Sequence, residues 1–109
     1  MKKLVLVSLL LAPLAMASSV NPTKITKVLV GPDYGTKVFI TVSTKPSAVP
    51  ACQTGNIYDF VFDGATDTGK LTLSVVLAAY TAKQDVWIGG KDSCQLYGGV
   101  EDLAHIVAL

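Results

Sequence analysis

The chain has 109 residues, half of them hydrophobic, and its nine basic residues are balanced by eight acidic ones. It contains no arginine, and its lysines are scattered along the sequence. Nucleic-acid binding depends on clustered Lys and Arg that neutralise phosphates. The composition therefore argues against a nucleic-acid-binding protein, and equally against a protein held on a membrane surface by charge.

The first residues have the features of an export signal. Lys2 and Lys3 supply positive charge, residues 4–14 form an apolar run, and Ala15-Met16-Ala17 offers the small residues that a signal peptidase accepts. The apolar run is too short to cross a bilayer core of roughly 30 Å as a helix. We predict a signal peptide at 1–17, one domain at 18–109, no stable membrane insertion, and a secreted or periplasmic location.

Cys52 and Cys94 are the only cysteines. In an exported chain an even pair indicates a disulfide, and one that closes a loop of this length stabilises the fold by roughly 3–4 kcal/mol. A thiol exchanger usually carries Cys-x-x-Cys, and two cysteines with one histidine at these separations fit no standard zinc spacing. We therefore predict a structural disulfide, with no metal and no cofactor.

The first half of the domain predicts three strands. Residues 18–23 contain Pro22 and are expected to be a loosely held polar entry, and 24–30 is the first strand. After a turn at 31–35, residues 37–44 alternate as the second strand. Its predicted faces are Val38, Ile40 and Val42 on one side and Lys37, Phe39 and Thr41 on the other. A loop at 45–54 precedes a third strand at 57–63, with Tyr58, Phe60 and Phe62 on one face.

The hydrophobic period then changes to that of a helix at 70–83, preceded by Asp67 or Thr68 as N-cap. A core-facing stripe is predicted from the i, i+3, i+4, i+7 spacing of Leu73, Val76, Leu77 and Tyr80. Further apolar side chains make this helix apolar around most of its circumference, more than one neighbour can cover. We therefore predict a homo-oligomer whose interface includes Leu71, Val75 and Ala82.

A fourth strand at 85–89, a loop at 90–99 and a fifth strand at 100–109 complete the order β-β-β-α-β-β. This is the order of the OB-fold, a five-stranded Greek-key barrel. Closure removes the exposed edges that short strands otherwise present. We predict a mainly β domain with one helix and an OB-fold-like barrel; an α+β sheet with the helix on one face is the alternative.

Residues 70–88, KLTLSVVLAAYTAKQDVWI, carry a family likeness. This segment resembles small secreted bacterial proteins in three features. They are the central LAAY of the helix, the V-x-I strand that follows it and the loop with Cys94. They are also similar to the cell-binding B subunits of subtilase cytotoxin and related pertussis-like toxins. The resemblance implies an OB-fold, a glycan-binding surface and a homopentamer. It identifies no binding residue in this sequence.

No catalytic arrangement is predicted. The single histidine, His105, lies in the apolar last strand, where a structural role is expected, because a catalytic base needs a nucleophile and an orienting acid. The acidic pairs Asp59 with Asp63 and Glu101 with Asp102 are interpreted as solvated surface, since carboxylate catalysis needs a fitted cleft. We therefore predict that the protein is not an enzyme.

A binding protein is the favoured class, with a glycan or a protein as its partner. Aromatic faces and a few polar groups make such sites. We predict that the ligand is bound by Tyr34, Thr36 and Tyr97, which lie in or beside predicted turns. Trp87 is expected to pack beneath the helix. The alternative is a periplasmic or secreted accessory or structural protein, such as an inhibitor or an envelope component, that uses the fold as a scaffold.

Overall fold

The computed structural model describes residues 18–55 and 57–109, so the predicted signal peptide at 1–17 lies outside the described residues. The described chain is mainly β with one helix, and none of its helices combines the length and the apolar character needed to cross a bilayer. The elements are β1 (Ser19–Thr23), β2 (Ile25–Leu29), a 3₁₀ turn (Pro32–Tyr34), β3 (Lys37–Val42), β4 (Phe60–Asp63), α1 (Asp67–Ala82), β5 (Val86–Gly90) and β6 (Glu101–Ala108).

The strands form a six-stranded sheet in the order β1-β5-β6-β4-β3-β2. β4 and β6 are parallel, and every other neighbouring pair is antiparallel. The predicted helix and the predicted sequence of strands after residue 24 are present. The sheet is not closed into the predicted barrel, because its two end strands, β1 and β2, do not pair with each other. These two strands are consecutive in the chain and are separated only by Lys24.

The expectation of a loose entry at 18–23 is wrong, because this segment contains β1. Val20 pairs with Ile88, and Thr23 pairs with Val86, with an irregular register between the two pairs. Pro22 lies inside that irregularity. A proline is tolerated there because an end strand and a bulge both leave a backbone position without a ladder hydrogen bond.

The main core lies between α1 and one face of the sheet. Val38, Ile40 and Val42 are buried in it, which confirms the predicted face of the second strand. From the helix, Val76 and Ala79 are buried and Leu73 is half-buried. The core also contains Val20, Ile25, Phe60, Phe62, Val86, Ile88 and Leu103.

Two of the four predicted core positions on the helix are wrong. Leu77 is 45% exposed and Tyr80 is 41% exposed. The helix contacts the core along a narrow stripe instead, and the small Ala79 lies in that stripe at 1% exposure. A small side chain lets the helix backbone approach closely, so the larger residues on either side remain in solvent.

A second, smaller core lies on the opposite face of β3 and β4, because successive side chains of a strand point in opposite directions. Phe39, Val61 and Val100 are buried there, and Tyr34 and Tyr58 are half-buried against them. The predicted grouping of Tyr58 with Phe60 and Phe62 is therefore wrong. β4 begins only at Phe60, so the alternation does not extend back to Tyr58.

The helix begins one turn earlier than predicted, and its N-cap is Thr66 rather than Asp67 or Thr68. The Thr66 hydroxyl accepts a hydrogen bond of 2.8 Å from the Gly69 amide. Gly69 is in close contact with the end of β4, since a Cβ there would lie 1.8 Å from the Asp63 carbonyl oxygen. The junction between β4 and α1 therefore requires glycine at this position.

We predict that Gly69→Ala destabilises the fold by about 1–3 kcal/mol, because the added methyl group would separate the helix from β4. Chemical denaturation of the oxidised protein measures this change. Gly31→Ala is the matched control, because a Cβ at Gly31 would have no atom within 4 Å apart from those of its neighbours in the chain. A Gly69→Ala protein as stable as the control would contradict the close contact.

Candidate functional site

Three tyrosines, Tyr34, Tyr58 and Tyr97, surround a cavity of about 190 Å³. The 3₁₀ turn after β2 supplies Tyr34, the loop before β4 supplies Tyr58, and the loop between β5 and β6 supplies Tyr97. Three separate segments thus converge on one pocket. Its other lining residues are Leu29, Phe39, Gly55, Ile57, Gly98 and Val100.

Phe39 holds the three tyrosine rings in place. Its side chain is 1% exposed, and its ring centroid lies 5.1 Å from Tyr34, 5.6 Å from Tyr58 and 4.9 Å from Tyr97. The contacts with Tyr34 and Tyr97 are edge-to-face, a favoured arrangement for aromatic pairs. The pocket therefore has a buried apolar floor, formed by Phe39, and walls formed by the tyrosine rings.

The structure brings together two of the three predicted binding residues. The rings of Tyr34 and Tyr97 are 6.1 Å apart, and both line the pocket. Thr36 does not line it. Its hydroxyl donates to Asp63 Oδ1 at 2.7 Å, and its carbonyl accepts from the Gly64 amide at 2.8 Å, so Thr36 joins β3 to the end of β4. Ligand contact by any of these residues stays a prediction.

Phe39 and Tyr58 also line the pocket, and neither was among the predicted binding residues. One signal was present, because Phe39 is a large aromatic residue on the strand face opposite Val38, Ile40 and Val42. An aromatic side chain at such a position indicates a second apolar cluster. Tyr58 gave no comparable signal, because the strand containing it was predicted to start earlier than it does.

The predicted disulfide between Cys52 and Cys94 is confirmed, with 6.0 Å between the two Cα atoms. It joins the loop that carries Tyr58 to the loop that carries Tyr97. The same loops are linked by a backbone hydrogen bond of 2.8 Å from the Gly55 amide to the Gly99 carbonyl. The disulfide therefore cross-links two walls of the pocket, and it fits an oxidising compartment.

The interpretation of Glu101 and Asp102 as solvated surface is wrong, because both are buried at the start of β6. Asp102 is 4% exposed. Its carboxylate accepts hydrogen bonds from the Ser93 hydroxyl at 2.7 Å, the Gln95 amide at 2.9 Å and the Leu96 amide at 3.0 Å. These donors lie on both sides of Cys94, so one carboxylate sets the conformation of the disulfide loop.

Opposing effects act on the pKa of Asp102. Burial raises this pKa, but the hydrogen bonds from Gln95, Leu96 and Ser93, together with the charge of Lys91, lower it below the ordinary value of 3.8. Hydrogen bonds to a carboxylate favour its charged form. Asp102 is therefore ionised at neutral pH.

Glu101 is 1% exposed. Its carboxylate accepts hydrogen bonds from the Ser18 hydroxyl and, at 2.8 Å, from the Asp92 amide. The Glu101 amide donates to Gln53 Oε1 at 2.5 Å, and Gln53 Nε2 donates to the Tyr58 carbonyl at 3.0 Å. Through Gln53, the start of β6 also supports the pocket wall next to Cys52.

Asp59 and Asp63, the other acidic pair, do not share a site, because each accepts hydrogen bonds from different residues. Asp59 Oδ2 accepts from the Val42 amide at 2.8 Å and from Lys45 Nζ at 2.7 Å. The pKa of Asp63 is lowered, first by a hydrogen bond from the Ala65 amide and then by one from the Thr36 hydroxyl. Both carboxylates thus stabilise strand ends.

The expected position of Trp87 beneath the helix is wrong. Val86 and Ile88 occupy the core face of β5, so Trp87 points to the other face and is 38% exposed. Its indole Nε1 donates to Ser19 Oγ at 3.1 Å, and its ring centroid lies 4.9 Å from that of His105 in an edge-to-face contact. His105 is exposed beside it.

Comparisons with models of protein families, with curated proteins and with solved structures gave no match. The resemblance to toxin B subunits stays a prediction. The function is therefore inferred from the geometry of the tyrosine pocket and of the surfaces around it.

We predict that Asp102→Asn destabilises the protein by about 2–4 kcal/mol at neutral pH, because an amide cannot accept all three hydrogen bonds as a carboxylate does. The folded-state pKa of Asp102 lies below its unfolded value. Its contribution is thus present above the unfolded pKa and is lost as the pH falls through the folded pKa.

Urea denaturation from neutral to acidic pH tests both parts of this prediction. The difference in unfolding free energy between the native sequence and Asp102→Asn should shrink on acidification. Asp92→Asn is the control, because the exposed Asp92 lies in the same loop. Parallel pH curves for the native and Asp102→Asn proteins would count against this role.

Proposed function

We propose that the protein is an exported, non-enzymatic binding protein that recognises one sugar ring of a glycan in the tyrosine pocket. The observation that carries this proposal is the convergence of Tyr34, Tyr58 and Tyr97 around the buried ring of Phe39. Binding sites combine apolar and aromatic walls with a few polar groups that fix orientation. Here the rings supply the apolar surface, and the phenolic hydroxyls are the polar groups.

The size and charge of the pocket define the ligand further. Its volume of about 190 Å³ is below the roughly 300–1,000 Å³ of sites for drug-sized molecules, which favours a single ring. No Lys, Asp or Glu is among the described residues that line it. A buried charge needs a partner, so the lining favours a neutral sugar over a charged one.

The sheet supports an OB-type barrel as the fold of this binding protein. β1 pairs with β5, β2 pairs with β3, and Lys24 alone separates β1 from β2. We interpret β1 and β2 as one bent strand shared by both edges of the sheet. The parallel pairing of β4 with β6 and the helix between β4 and β5 agree with this interpretation.

A glycan array probed with the oxidised protein, followed by titration of the best-bound glycan, tests the binding site. We expect Tyr34→Ala and Tyr97→Ala each to weaken binding at least about tenfold, because each removes an aromatic wall of the pocket. Trp87→Ala is the control, since Trp87 is also exposed and aromatic but does not line the pocket.

Two results would overturn this proposal. One is that Trp87→Ala abolishes glycan binding while both tyrosine variants retain it. The other is that no glycan binds at all, which would favour either a protein partner or the alternative of an accessory or structural protein that uses the fold as a scaffold. The side chain of Ile57, 66% exposed at the rim of the pocket, would then be the first position to test for contact with such a partner.

The outer face of α1 supports the proposal of a homo-oligomer. Leu71 is 71% exposed, Ala82 is exposed and Val75 is half-buried. These are the predicted interface residues, and their spacing places them along one side of the helix. An apolar stripe of this kind is stabilised by contact with another apolar surface.

We predict that light scattering after size-exclusion chromatography gives a multiple of the monomer mass for the oxidised domain, near five if the resemblance to toxin subunits holds. Leu71→Glu should shift it to the monomer, because a charge in the contact is costly to bury. Thr81→Glu is the control, placing the same charge elsewhere on the exposed helix surface. A monomeric native protein would remove the oligomer from the proposal.

A further inference from the structure

Glu101 is a buried carboxylate without a cation beside it in the described part of the chain. The ion pairs among residues 18–55 and 57–109 are Lys24 with Asp85 and Lys45 with Asp59. The partners of the Glu101 carboxylate are a hydroxyl and a backbone amide. Burying a carboxylate costs several kcal/mol unless an opposite charge compensates it, so this position calls for a positive group.

Ser18 places such a group within reach. It is 2% exposed, and its hydroxyl donates to Glu101 Oε1. Its carbonyl accepts a 2.8 Å hydrogen bond from the Gly90 amide. Gly90 itself lies against the same carboxylate, because a Cβ there would be 2.2 Å from Glu101 Oε2. Ser18 is thus held next to Glu101 directly through its hydroxyl and, by way of Gly90, through its carbonyl.

We propose that removal of the signal peptide creates the cation that pairs with Glu101. A signal peptidase would hydrolyse the peptide bond between Ala17 and Ser18, the position predicted from the sequence. Water adds across that bond, so Ala17 leaves as a carboxylate and Ser18 gains an amine. An α-amine has a pKa of about 7.7–8.0 in a model peptide, so the new terminus is largely protonated at neutral pH.

The pair makes the stability of the fold depend on export. Before cleavage, the Ser18 nitrogen is a neutral amide and cannot compensate the buried charge. After cleavage, the ammonium group stabilises Glu101 at the start of β6, next to the Asp102 carboxylate that holds the Cys94 loop. The fully stabilised fold is then reached only by the processed chain in the compartment where the disulfide forms.

Thermal unfolding of four oxidised chains, prepared by ligation of synthetic segments, tests this proposal. The chains begin at Ser18 with a free or an acetylated amine, each with Glu101 or with Glu101→Gln. We expect acetylation to lower the unfolding temperature of the Glu101 protein by roughly 5–10 °C and to have no such effect on Glu101→Gln. Equal unfolding temperatures for both Glu101 chains, or an equal drop in both backgrounds, would overturn the proposal.

Ser18→Ala is the matched control, because it removes the hydroxyl and keeps the amine. The effect of acetylation should therefore persist in Ser18→Ala, and its loss there would assign the effect to the hydroxyl. If Glu101→Gln does not fold, the reactivity of the Ser18 amine decides. In the native fold it should react with an amine-selective reagent at least about tenfold more slowly than in the denatured chain, and equal rates would refute the pair.

The mass of the full chain after export from a bacterial host gives a separate check. A mass that corresponds to Ser18 as the first residue supports the proposal. Any other first residue contradicts it. Neither this measurement nor the unfolding experiment depends on glycan binding, so each can fail without affecting the proposed function.

Discussion

The structure depends on two adjacent carboxylates at the start of β6. Strand geometry sends neighbouring side chains to opposite faces, so Asp102 reaches the loop around Cys94 while Glu101 reaches Ser18 and Asp92. β6 is paired on both sides, with β4 in parallel and β5 in antiparallel orientation. The same two residues therefore connect the interior of the sheet to its first strand and to the disulfide loop. The burial of Asp102 is compensated by three directed hydrogen bonds.

The tyrosine pocket is a consequence of that arrangement. The disulfide limits how far its two loops can separate, and that constraint acts mainly on the unfolded chain. The bond alone does not fix the conformation of either loop. The hydrogen bonds to Asp102 do so on one side, and Gln53 does so on the other by bonding to both Glu101 and Tyr58. The disulfide and the hydrogen bonds thus have separate roles in positioning the two loops. The packing of the three tyrosine rings against Phe39 adds a third constraint.

Much of the fold could be predicted from the sequence, because hydrophobic period distinguishes a helix from a strand. The alternation around Val38 and the helical spacing around Val76 gave elements that the structure contains. β1 escaped prediction because Pro22 and polar neighbours resemble a loop, and only pairing with β5 makes the segment a strand. The burial of Glu101 and Asp102 could not be predicted, because it depends on contacts with the loop before β6 and with Ser18, which is distant from them in sequence. Of the predicted binding residues, Tyr34 and Tyr97 line the pocket, whereas the Thr36 hydroxyl bonds to Asp63 outside it. The predicted disulfide is present.

The outer face of α1 and the tyrosine pocket lie on opposite sides of β3 and β4. Strand alternation puts the helix-covered core on one face of β3 and β4 and the cluster around Phe39 on the other. α1 contacts the main core through a narrow stripe, so its outer side chains remain available, while the tyrosines open on the opposite side of the strands. A contact between copies through α1 would therefore leave the pocket of each copy accessible. Several accessible pockets in one assembly would raise the avidity for a multivalent glycan without any change in the affinity of a single site.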